Sequence, residues 1–166
     1  MVVVRMRLAI DKSLAEVDAE AVRALKSLER DLSDELAGCL ALVAVDPAVD
    51  IDDALDRGAD FAGLLGRPER EITREEAQAL LSGVVDRDLA YRARRLSPVS
   101  GARAAAAFLA LFPGPDTRFF TNGELGLAHN LDKTGGWSPL TGATFDTGVV
   151  AIDGARLGVF WVEDEN

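Results

Sequence analysis

The sequence predicts an α+β fold: a helical layer packed on a mainly antiparallel β-sheet that ends in a C-terminal β-hairpin. Three observations predict it. Two runs rich in Val, Ile, Phe and Trp, residues 145–152 and 156–162, flank the dipeptide Asp153-Gly154 near the C-terminus. Apolar residues at helical spacing dominate residues 13–112, and residues 2–10 alternate with the period of a strand. The 166 residues suit one domain, with a helical part over about 13–112 and a strand-rich part over about 117–164 plus the N-terminal strand 2–10.

Taken in order, Val2, Val4, Met6, Leu8 and Ile10 share one face of the first strand, with Arg5 and Arg7 on the other. This pattern places the strand near or at a sheet edge, where the arginines discourage edge-to-edge pairing or meet an acidic neighbour. Ser13 and Glu16 have capping-box spacing and open a helix. Val17, Ala21, Leu25, Leu28, Leu32, Leu36, Cys39 and Val43 then recur at steps of three and four. One helix of that length is too long for a domain this small, so a break is expected near Ser33 or Gly38. Residues 39–45 fit a helix or a strand equally well.

Pro47 ends that element. Asp46, Asp50, Asp52, Asp53, Asp56 and Asp60 follow with Arg57 as the one base between them. A calcium loop fails here, because the ligand position two after Asp52 is Ala54. A short helix with Ile51, Ala54, Leu55 and Gly58 inward accounts for the spacing, and its outer face is then either a solvated surface or one that meets a basic partner. Phe61, Leu64 and Leu65 close this unit. Thr73 and Glu76 form a second capping box, opening a helix with Ala77, Leu80, Leu81, Val84, Val85 and Leu89 inward. Its basic end, residues 91–95, suits the negative end of a helix dipole. Ser100 caps an Ala-rich helix that Pro113-Gly114-Pro115 terminates. Residues 118–121 read as a strand, followed by a loop or helical turn that carries His129.

In the hairpin, a type I′ turn centred on Asp153-Gly154 pairs Ile152 with Ala155, Val150 with Leu157, Gly148 with Val159 and Asp146 with Trp161. Val149 and Phe145 lie on the opposite face with Phe160 and Val162. Both faces are largely apolar, so the hairpin belongs in a sheet covered on both sides.

The net charge is −10, and it is regional. Residues 11–76 hold 18 acidic and 8 basic side chains, whereas the rest of the chain holds ten of each. Such a surface disfavours nucleic acid and anionic membranes and permits a basic protein partner. No apolar run approaches the ~20 residues that cross a bilayer, and the N-terminus lacks the pattern of a signal peptide, so a cytoplasmic protein is expected. Cys39 is the sole cysteine and has no partner for a disulfide or a zinc site. No metal ligand set, cofactor-binding motif, phosphate loop or nucleophile elbow is present, so no cofactor is expected and the chain reads as a binding protein, not an enzyme.

The stretch GWSPLTGATFDTGVV, followed by a turn and RLGVFWVEDEN, resembles the C-terminal signature of bacterial contact-dependent growth inhibition immunity proteins. The resemblance runs from Phe119 to Asn166. It implies a protein that binds and neutralises a delivered toxin domain, in some cases a nuclease. Asp46, Asp50, Asp52, Asp53 and Asp56 are the expected partner-binding residues, with Asp146, Glu163, Asp164 and Glu165 as a second acidic patch. A small enzyme using a carboxylate pair and a self-assembling adaptor are the alternatives.

Overall fold

A computed structural model describes residues 5–32, 36–87, 100–122, 140–141 and 145–164. Eleven elements occur among them: β1 (Met6–Ile10), α1 (Leu14–Val17), α2 (Ala19–Leu32), β2 (Ala37–Ala44), α3 (Ile51–Phe61), β3 (Arg70–Ile72), α4 (Arg74–Asp86), α5 (Gly101–Leu109), β4 (Arg118–Thr121), β5 (Phe145–Ile152) and β6 (Arg156–Asp164). The strands form one six-stranded sheet in the order β1-β2-β6-β5-β4-β3. Only the β1–β2 pair is parallel; the other four are antiparallel. This is the α+β architecture that the sequence predicts.

Side-chain alternation divides the sheet into two apolar faces. On one, Leu40, Leu42, Phe119, Val149, Phe160 and Val162 pack against α1, α2, α4 and α5. On the other, Cys39, Ala41, Phe120, Val150, Val159 and Trp161 pack against α3 and Leu64. β5 and β6 are therefore buried from both sides, and Val150, Ile152, Leu157, Val159, Phe160 and Trp161 are all buried as their pattern requires. Glycines permit the closest approaches. A Cβ at Gly158 would lie 2.6 Å from the Phe112 ring, and one at Gly58 would lie 2.4 Å from Leu157 Cδ2.

The hairpin keeps its predicted faces but shifts its register by two residues. Ile152 pairs with Leu157, Val150 with Val159, Gly148 with Trp161 and Asp146 with Glu163. The cause is the Asp153 carboxylate, whose Oδ1 accepts the amides of Ala155 at 2.8 Å and Arg156 at 2.7 Å. That capping role puts Asp153 at the first position of the turn and leaves Gly154 and Ala155 as its corners. Gly154 has no positive φ, so the type I′ turn does not form.

The capping boxes divide. Thr73 and Glu76 form theirs, with Thr73 N donating to Glu76 Oε1 at 2.8 Å and Glu76 N donating to Thr73 Oγ1 at 3.1 Å. Ser13 does not; its amide and hydroxyl both donate to Asp11 Oδ1. The first helix consequently stops after one turn at Asp18, where α2 starts anew, and Val17 is 80% exposed instead of sharing the apolar stripe. The stripe is real only to Leu32. Cys39 and Val43 belong to strand β2, so β2 and β3 both fall within the span read as helical. Arg156 joins the layers: it donates to Asp18 Oδ2 at 2.6 Å and to the Leu111 carbonyl, and its guanidinium stacks over Phe112. Arg74 donates to the carbonyls of Leu109, Phe112 and Gly114, satisfying the end of α5.

Residues 2–4 of the first strand, Leu89, the basic cluster 91–95, His129 and Glu165 lie outside the described residues. Among those described, no helix is long and apolar enough to cross a membrane.

Candidate partner-binding surface

α3 follows β2 through Asp46-Pro47, where Asp46 Oδ1 accepts the amide of Ala48 at 2.9 Å and turns the chain. Asp50 then stands at the N-cap, its Oδ1 accepting the amide of Asp52 at 3.2 Å. Ala54, Leu55, Gly58 and Ala59 face the sheet and are buried. Helical spacing sends Asp52, Asp53, Asp56 and Asp60 to the opposite, exposed face. Asp52 and Asp53 also complement the positive end of the helix dipole.

The acidic face is not bare. Arg67, from the turn after α3, reaches back to Asp56 Oδ2 at 3.0 Å and lies 3.8 Å from Asp52 Oδ2. Asp53 and Asp60 have no ion pair among the described residues. Beyond them, Phe61 is 41% exposed and Leu65 79% exposed, although only Leu64 of that apolar trio is buried. The surface thus combines carboxylates with two outward apolar side chains. The sequence held no signal for this: Phe61 and Leu65 follow Ala54 and Gly58 at helical spacing, and it is the end of α3 at Phe61 that leaves both side chains outward.

Asp146 does not stand in the second acidic patch expected with Glu163 and Asp164. Asp146 is fully buried, on the α3 side of the sheet. Its Oδ1 accepts Trp161 Nε1 at 2.9 Å, the amide of Leu140 at 2.9 Å and Asn122 Nδ2 at 3.3 Å. Its Oδ2 accepts the amide of Thr141 at 2.9 Å and the hydroxyl of Thr141 at 2.7 Å. Asn122 and Thr147 extend this network, with Thr147 Oγ1 donating to Asn122 Oδ1 at 2.8 Å. A buried indole needs an acceptor, and Asp146 lies diagonal to Trp161 on the same face; the carboxylate is therefore an internal acceptor and cannot meet a partner. Glu163 is engaged as well, in a two-pronged pair with Arg7 at 2.8 and 3.2 Å that spans β2. This bond to Glu163 raises the Arg7 pKa. Asp164 is half-buried at the end of β6.

An open hollow of about 170 Å³ lies beside α3, edged by Asp46, Asp116, Arg118 and Asp153 over a floor of Val45, Val49 and Ile152. Three of its polar groups have structural tasks. Asp46 and Asp153 bind turn amides, and Arg118 pairs with Glu71 at 2.7 Å while lying over the Phe120 ring. Among the described residues no cluster of three His, Cys, Asp or Glu could hold a metal ion. Burial pushes the Cys39 thiol up to about 12, so it remains protonated and unreactive at neutral pH.

The structure therefore brings Asp46, Asp50, Asp52, Asp53 and Asp56 together around one helix and separates Asp146 and Glu163 from them. No family model, curated protein or solved structure matches the chain.

Proposed function

We propose that this protein is an immunity protein of the contact-dependent growth inhibition type, which binds and neutralises its cognate toxin domain in the cytoplasm. The observation that supports this reading best is the outer face of α3. There Asp52, Asp53, Asp56 and Asp60 stand exposed beside Phe61 and Leu65. A basic toxin surface would be steered to such a face by opposite charge, and the two apolar side chains would supply contact area that excludes water. Inhibition of this kind requires only shape and charge complementary to the blocked surface. If the toxin is a nuclease, its nucleic-acid groove is basic, and the α3 carboxylates take the positions of phosphates.

The experiment is co-expression with the toxin domain encoded beside this chain, followed by measurement of complex formation. Growth rescue and a stable complex are expected, with an association rate that falls as salt is added. A chain that neither rescues growth nor binds that domain is not its immunity protein.

A further inference from the structure

The two edges of the sheet are unequal. β3 is three residues long and presents exposed Arg70 and Glu71, a short charged edge that resists further pairing. β1 is five residues long, contains no proline and carries Met6, Leu8 and Ile10 on one face. Leu8 and Ile10 are only partly buried although they pack against the core. The amide of Asp11 donates to the Leu42 carbonyl at 2.9 Å, in line with the parallel register of β1 on β2. Peptide groups alternate along a strand, so Arg7, Ala9 and Asp11 direct theirs to β2. Those of Met6, Leu8 and Ile10 point to the open edge. No strand among the described residues receives them.

We propose that a second copy of this chain pairs there, β1 antiparallel to β1 about a two-fold axis through Leu8, making one sheet continuous across both copies. In this register Leu8 faces Leu8 of the second copy, Met6 faces Ile10, Arg7 faces Ala9 and Arg5 faces Asp11. All three outward residues of each copy find partners. Charge selects the same register. Arg5 is exposed and has no ion pair among the described residues. Asp11 already accepts the amides of Ser13 and Ala44, and these bonds hold its carboxylate ionised, below the usual range. Each copy's Arg5 meets the other's Asp11, giving two symmetric ion pairs. Sliding the strands toward the N-terminus instead centres the axis on Arg7 and sets like charges face to face, which is destabilising. Sliding them the other way puts Met6 opposite Lys12, which has already left the strand for the turn. The pairing is independent of the toxin reading, since it uses an edge and not the face of α3.

Sedimentation equilibrium on the intact chain tests the association, and cross-linking tests the register. A dimer is expected, weakened at least tenfold by Arg5→Glu, whose fold is checked by circular dichroism. In a hydrogen-bonded antiparallel pair the two Leu8 Cα atoms lie about 5.5 Å apart, inside the range a disulfide spans. Mild oxidation should therefore link Leu8→Cys to itself. Ile10→Cys should not link, because its two copies are offset by roughly 13 Å along the strands. Buried Cys39 stays out of the reaction. A monomer at the highest soluble concentration, an Arg5→Glu dimer of unchanged strength, or linkage of Ile10→Cys in place of Leu8→Cys each overturns the proposal.

Discussion

The two faces of the sheet are built differently. One lies beneath the helices α1, α2, α4 and α5, and its interior is apolar except for Thr121 and Thr147, whose buried hydroxyls lie 3.4 Å apart; Phe108 packs there edge-on to Phe160 and tilted against Phe112. The other lies beneath α3, and its interior holds a carboxylate, Asp146, tied to Trp161, Leu140, Thr141 and Asn122. Outwardly the contrast repeats: α3 carries the cluster of exposed aspartates. Face one holds the domain together mainly through apolar packing. Face two combines packing with polar bonds whose geometry must be met, and that is where a surface of specified charge is displayed.

The largest expected effects test whether the two interiors contribute equally. Trp161→Ala and Phe108→Ala each empty a fully buried aromatic site, and each should cost about 3–5 kcal/mol in urea unfolding. Trp161→Ala should fall at the upper end, because it also takes a donor from Asp146. Equal losses would mean that the indole bond adds nothing beyond packing.

Asp146→Ala isolates the polar interior. Removing the acceptor leaves the Trp161 indole and the amides of Leu140 and Thr141 without their partner, at a cost of about 3 kcal/mol. Denaturant midpoints and indole fluorescence read this directly. An unchanged midpoint would show that the carboxylate is dispensable and the two interiors are alike.

The outer side of α3 should respond oppositely. The triple change Asp52→Asn, Asp53→Asn and Asp56→Asn should lower stability by only about 1 kcal/mol, from weakened interactions at the helix N-terminus and with Arg67. Association with the toxin domain proposed as its partner should slow clearly and depend less on salt. A rate equal to the parent's would make α3 a solvated face.

The smallest effect concerns the far edge. The Arg118 bond lowers the Glu71 pKa, and Glu71 is largely exposed. A lowered carboxylate pKa contributes stability above the unfolded value, and that contribution disappears as pH falls through the folded value. Glu71→Gln should therefore flatten the acid limb of the stability profile slightly and leave neutral pH almost unchanged, as expected of a screened surface pair. A large loss at neutral pH would mean that β3 contributes more to the sheet than its three residues imply.

Local rules carried much of this fold within the sequence itself. Alternation in residues 145–162 determines which side chains share a face, because a strand's period of two is independent of its neighbours. Thr73 and Glu76 determine a helix start, since both bonds of the box close within four residues. Asp52, Asp53 and Asp56 must share an outer face once Ala54, Leu55 and Gly58 turn inward. Other outcomes needed the folded chain. Cys39 and Val43 fit the helical stripe of α2, but residues 37–44 pair along their whole length with β6, and those bonds override periodicity. The hairpin register followed Asp153, whose carboxylate competes with Gly154 for control of the turn. Asp146 looked like surface charge because a carboxylate alone belongs in water. Only the convergence of Trp161, Asn122, Leu140 and Thr141, brought together by β4, β5 and β6, makes its burial possible, and no local pattern records that meeting.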